Sequence, residues 1–189
     1  MKNILILLLL TCGFGCSNYA QNSESYSDKY NIGSISMPAA TSEKLDTIIT
    51  PKFKLVASQN MAYIDNKKYS PSTFSYDCYF PTILSEFDFF EMKKDSVTVN
   101  RLLENMINGA QSQSNSEIIG KTYFTYPEPG VKVTLLNHET NTKGVCRIII
   151  FDNYVISTRA TGANDNYEND VEDKFFKSLK INPETRKRH

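Results

Sequence analysis

The sequence predicts an α+β fold in which helices pack against an antiparallel β-sheet. Segments that alternate apolar and polar residues follow one another along the chain, whereas a parallel sheet would require them to alternate with helices. Two segments have a helical period instead, one in the middle of the chain and one near its C-terminus. The segment Ile148–Phe151 is apolar at every position, which indicates a strand covered on both faces.

The first half of the chain carries several predicted strands. Thr73–Phe80 directs aromatic residues and Cys78 to one face and mostly polar residues to the other, which is typical of a half-buried strand. Proline ends two earlier strands, at Pro38 and Pro51. These earlier strands cover residues 35–37, 45–50 and 53–57, and a short apolar segment follows at residues 61–64.

The middle of the chain predicts a helix. Val99–Ala110 places its apolar residues on one face at the helical period, and Gly109 marks the predicted end. The start of this helix can be capped by one of three polar residues, Asp95, Ser96 or Thr98. The preceding segment, Pro81–Met92, fits either a helix or an irregular loop.

The C-terminal block predicts four more strands and a closing helix. His138–Lys143 is a predicted hairpin loop, and Asp152-Asn153 is a predicted tight turn because both residue types tolerate positive φ. The helix extends from about Tyr167 to Leu179, with Asn164 to Asn166 as caps and its acidic residues on the outer side. The four strands cover residues 118–126, 131–136, 145–151 and 154–160.

The first 20 residues are predicted to be a secretory signal. A lysine near the start precedes the aliphatic run Ile4–Leu10, which is too short to span a bilayer. Two processing routes fit, either lipidation of Cys16, which would tether the protein to a membrane, or cleavage after Ala20. This places the protein outside the cytoplasm, in the periplasm or as an outer-membrane lipoprotein, or alternatively secreted. The predicted organisation is the signal at 1–20, a polar linker at 21–31, one domain at 32–181 and a polar basic tail at 182–189.

Charge and cysteine content exclude some classes of function. The 21 Lys and Arg residues balance 21 Asp and Glu residues, so no net field attracts nucleic acid. Cys78 and Cys146 lie beyond the signal, each in a predicted strand. A location outside the cytoplasm permits a disulfide between them, and two buried thiols are the alternative. Neither cysteine has a partner at CxxC spacing, so the sequence does not support dithiol redox chemistry.

Four features together resemble small bacterial secreted domains of the PsbP-like superfamily, over roughly Ile32 to Ile181. They are Met37-Pro38 closing an early strand, the helix Val99–Ala110, the turn Tyr126–Gly130 and the ending Asp173–Ile181. The resemblance implies a central antiparallel sheet with helices on both faces, an α/β/α sandwich. It also implies a non-catalytic accessory or ligand-binding role, as in many relatives. No functional residue of the family maps onto this chain.

Chemically reactive patterns are scarce. The chain has two histidines, His138 and His189, and neither a Gly-x-Ser-x-Gly elbow nor a glycine-rich phosphate loop, so we expect no catalytic residue, metal or cofactor. Three weaker alternatives remain. The first is a carboxylate pair for acid–base chemistry among Glu86, Asp88 and Glu91. The second is calcium binding by the acidic patch of Asp165, Glu168, Asp170, Glu172 and Asp173. The third is an aromatic recognition surface that includes Tyr79 and Tyr123, which would otherwise lie beneath the helices.

The sequence therefore predicts a non-catalytic binding or accessory protein of the bacterial envelope, whose ligand is a protein or a small molecule. The alternatives are an enzyme that uses the acidic residues of the 86–91 region, or a structural subunit of a surface complex.

Overall fold

The computed structural model describes residues 23–28, 31–49, 54–65, 70–81, 95–125, 128–152, 154–182 and 184. The predicted signal with Cys16, the acidic residues of the 86–91 region and most of the basic tail lie outside these residues. The described strands are β1 (Glu24–Ser27), β2 (Gly33–Met37), β3 (Thr41–Ile49), β4 (Lys54–Tyr63), β5 (Thr73–Pro81), β6 (Glu117–Phe124), β7 (Gly130–Asn137), β8 (Thr142–Phe151), β9 (Tyr154–Ala163) and β10 (Lys180–Ile181). The described helices are α1 (Ser96–Ser114) and α2 (Asn169–Lys177).

The main sheet has seven antiparallel strands in the order β3-β4-β5-β9-β8-β7-β6. Two meanders build it, because β3 to β5 pair consecutively and so do β6 to β9. They join where β5 pairs with β9, with Cys78 opposite Ile156, and we call this pairing the β5–β9 seam. The predicted antiparallel sheet is thus confirmed, and so is the tight turn between β8 and β9, where Asp152 has a φ of 46°.

A second, three-stranded sheet forms from β1, β2 and β10. β1 lies within residues 21–31, so the structure differs from the predicted linker there. The connection from β1 to β2 is held by Asp28, whose carboxylate accepts hydrogen bonds from the backbone N–H groups of Ile32 and Gly33 at 3.2 and 2.7 Å. The folded domain therefore begins before residue 32.

The helix boundaries differ from the predicted ones for identifiable reasons. Asp95 caps α1 by accepting a hydrogen bond from the backbone N–H of Val97 at 3.0 Å, as predicted. The predicted end of this helix at Gly109 is wrong. The helix continues to Ser114 and stops at Asn115, which adopts the left-handed conformation with a φ of 47°. A single exposed glycine costs a helix only about 1 kcal/mol, which the following residues outweigh.

The start of α2 was also predicted wrongly. Glu168 is its N-cap residue, without a side-chain hydrogen bond to the helix. Asn164 and Asp165 instead interact with Asn141 of the β7–β8 loop, at 3.2 and 2.8 Å. Glu172 does not face outwards as predicted: its side chain is buried and forms an ion pair of 2.6 Å with Lys132 of β7.

Each face of the main sheet carries its own core. On the α1 face, α1 packs over β7 and β8, and Ile148 and Ile150 belong to this core. On the opposite face, α2 and the three-stranded sheet pack over Ile149, Phe151 and the inner residues of β5. The exposed fraction of all four β8 side chains is 3% or less, which confirms that this strand is covered on both faces. Helices lie on both faces as the sandwich requires, but α2 shares its face with the small sheet. No helix in the described part of the chain is both long and apolar enough to span a membrane.

Candidate functional site

The α1 face has one part that α1 does not cover, and we call it the open face. It consists of the outward side chains of β4, β5 and β9 beside the seam: Gln59, Met61, Tyr63, Ser75, Asp77 and Arg159. Met61 and Tyr63 are 52% and 61% exposed and lie two residues apart on the same face of β4. Neighbouring exposed apolar side chains with polar residues around them are typical of recognition surfaces.

The strand register places the members of the open face next to one another. Asp77 lies between Gln59 of β4 and Ser157 of β9, and Ser75 lies between Met61 and Arg159. The same cross-strand rows continue under α1, where Ile148 and Cys146 of β8 follow Ser157 and Arg159. The open face therefore changes directly into the α1 core at β9.

Asp77 is a half-buried carboxyl of this surface. Burial raises the pKa of its carboxyl from 3.8 to about 7, although the positive charge of Arg159 opposes that shift. A shifted carboxyl pKa beside an exposed surface makes Asp77 a candidate site residue. The neighbouring Tyr79 is half-buried, and burial raises the pKa of its hydroxyl, so it stays neutral.

Cys146 is not a reactive thiol in this arrangement. Its Sγ lies 3.5 Å from the Oγ of Ser157, and burial raises the pKa of the thiol. Reactive cysteines need a lowered pKa and access to solvent, and Cys146 has neither. Its role is packing against the α1 core.

The alternative of a Cys78–Cys146 disulfide disagrees with the structure. Both are buried free thiols, and they lie on opposite faces of the main sheet with β9 between their strands. The sheet itself separates the two Sγ atoms, so no disulfide geometry is available.

A second polar cluster lies between the two sheets and is structural. The Tyr76 hydroxyl donates a hydrogen bond of 2.9 Å to Asp28, and both side chains are buried. Nearby, the Tyr26 and Ser58 hydroxyls are 3.5 Å apart. The amide of Asn60 is buried in this cluster near Tyr26, and no described residue completes a hydrogen bond of good geometry with it. These groups join the small sheet to β4 and β5.

The other predicted site residues do not converge. His138 is exposed, and its Nε2 lies 2.7 Å from a carboxylate oxygen of Glu117. The acidic patch around α2 is dispersed, with Glu172 turned inwards, and in the described ranges no three metal-ligating side chains come together. Tyr123 is 42% exposed at the side of α1, where its hydroxyl donates a hydrogen bond to Glu104.

Comparison with solved structures finds a similarity to the solution structure of cyanobacterial PsbP (CyanoP) from Synechocystis sp. PCC 6803. The alignment covers 93% of this chain and 99% of that chain, at 12% sequence identity and a TM-score of 0.46. No protein-family model matches the sequence, and a search of curated proteins returns no match. At this TM-score the similarity carries no conclusion about function, which must rest on the side chains of this chain.

Proposed function

We propose that this protein is a non-catalytic binding or accessory protein that acts outside the cytoplasm and recognises a partner through the open face. The observation that carries the proposal is the exposure of Met61 and Tyr63 beside Arg159 and Asp77. Tyr, Met and Arg are enriched where proteins bind one another, because they combine large contact area with hydrogen bonding or charge. The open face has this composition, because it combines polar side chains and Arg159 with the exposed side chains of Met61 and Tyr63.

The test is co-purification of the tagged chain from detergent-solubilised envelope, with a matched pair of variants. Met61→Ser removes an apolar side chain that is 52% exposed from the open face, and Ile119→Ser removes one that is 49% exposed from β6. We expect a stoichiometric companion with the wild-type chain and the Ile119 variant, and several-fold less with the Met61 variant. Equal recovery with both variants, or no companion at all, would refute the proposal.

The proposed location depends on the N-terminal segment. We propose that residues 1–20 are a signal and that Cys16 is lipidated after export. Mass analysis of the N-terminus should show a fatty-acylated Cys16, and Cys16→Ala should release the protein from the membrane fraction. An unmodified chain that begins at Gln21 would favour cleavage after Ala20 instead.

An acid–base enzyme is the second candidate, because Asp77 titrates near the pH at which general acids and bases work best. This candidate would be favoured if the wild-type chain turns over a chromogenic substrate from a panel with a pH profile centred near 7, and if Asp77→Asn abolishes that turnover. Absence of turnover in both proteins would favour the binding role.

A further inference from the structure

A depression of about 630 Å³ opens beside Tyr63, at the end of β4. Its position is set by the topology, because the chain passes there from β2 to β3 while β1 begins on the other side. Pro38 is buried and Ala39 and Ile64 are half-buried, so they form an apolar floor. The volume lies in the range of ligand pockets in proteins.

The rim of the depression is acidic and aromatic. Glu24, Tyr63 and Asp65 line it and are all exposed. Of the described residues that line the depression, the two charged ones are both carboxylates. Neither carboxylate forms an ion pair with a residue that the structure describes.

We propose that this depression binds a basic side chain of the partner, a Lys or Arg that reaches past Tyr63 around the end of β4 from the segment docked on the open face, because the apolar floor packs on the opposite face of the main sheet. The inference rests on the proposed function, since Tyr63 belongs to both the open face and the depression. Lys and Arg combine an apolar stem with a cationic head, and the depression offers a matching apolar floor with two carboxylates above it.

An acidic side chain would be repelled by Glu24 and Asp65, and a neutral one would gain only the apolar contact. The depression therefore selects by charge among side chains of similar length.

The test uses N-acetyl-lysine methylamide as the probe and the ¹⁵N-labelled full chain, followed by two-dimensional NMR. We expect saturable shifts of the backbone amides of Tyr63, Ile64 and Asp65. The arginine analogue should bind similarly, and the neutral norleucine analogue should bind at least threefold more weakly. Removing both rim charges, with Glu24→Gln and Asp65→Asn together, should weaken binding of the lysine probe by about tenfold.

Glu139→Gln is the matched control, because Glu139 is an exposed carboxylate in the β7–β8 loop, at the same end of the main sheet. It is separated from the depression by β5 and β9, so binding of the lysine probe should be unchanged. Equal binding of the lysine and norleucine analogues, or equal losses in the rim and control variants, would overturn the inference.

The same variants separate this inference from the proposed function. If the companion is lost with Met61→Ser but kept with the double rim variant, and the lysine probe does not bind, only the depression inference fails. If the companion is unaffected by Met61→Ser, the open face is not the binding surface and the proposed function fails, whatever the probe does.

Discussion

Replacing Asp77 by Asn should make the protein more stable at neutral and alkaline pH. Burial raises the pKa of this carboxyl to about 7 in the folded chain, whereas in the unfolded chain it is solvated and titrates near 3.8. As the pH rises above 4, the unfolded state loses this proton first and is stabilised relative to the folded state. The wild-type chain therefore loses stability until the pH passes the folded pKa, and the Asn variant does not.

The magnitude follows from the size of the shift. Each unit of pKa difference is worth about 1.4 kcal/mol, so a shift of about three units corresponds to about 4 kcal/mol above pH 7. Between pH 5 and pH 8 the free energy of unfolding of the variant, relative to wild type, should rise by about 3 kcal/mol. Replacing Arg159 by Gln should raise the pKa of Asp77 further, because the guanidinium favours the ionised form.

Urea unfolding of both chains at pH 5, 6, 7 and 8 measures this difference, and a carboxyl ¹³C NMR titration of Asp77 measures its pKa directly. Asp170→Asn is the control, since it removes one exposed carboxylate from the first turn of α2. If the difference between wild type and Asp77→Asn is the same at pH 5 and pH 8, burial does not hold this carboxyl protonated and the argument is wrong.

Two further predictions concern close packing and hydrogen bonding, each measured by urea unfolding. Gly130→Ala should destabilise the protein by roughly 2–3 kcal/mol, because the added Cβ would clash with the backbone carbonyl oxygen of Ile148 and lie 2.6 Å from the ring of Phe124. Gly109→Ala should stabilise it by about 1 kcal/mol, because no described atom lies within 4 Å of the added Cβ. If both variants change stability equally, the crowding at β7 is not real. Tyr76→Phe should destabilise the protein by about 1–2 kcal/mol, because a buried Asp28 oxygen loses one of its donors and keeps the Gly33 N–H. An unchanged midpoint would mean that this hydrogen bond adds no stability.

The sequence predicted most of the main sheet, because alternation is a local signal. It failed where pairing depends on distant segments. β1 and β10 are short and mostly polar, and they become strands only because both pair with β2. β4 was predicted as two segments because Ser58, Gln59 and Asn60 are polar, yet Ser58 and Asn60 are buried under the small sheet. β4 continues through those positions because its backbone pairs with β3 on one side and with β5 on the other.

The candidate site was missed for a similar reason. Asp77 and Arg159 each occupy polar positions of an alternating strand, where a solvated side chain is the ordinary expectation. Their proximity depends on the register of β5 against β9, which are far apart in the sequence. The alternation of apolar and polar residues also does not show how much of the α1 face one helix covers. The extent of that cover determines which polar side chains become half-buried.

The β5–β9 seam gives the molecule a natural line of division. A break in the backbone between residues 81 and 95 would separate a fragment that holds β1 to β5 from one that holds α1 to β10. Each fragment would expose one bare strand edge at the seam, and β10 would supply a second attachment by pairing with β2. We therefore expect the two pieces to reassemble when they are produced together, so a split reporter could be built from this domain.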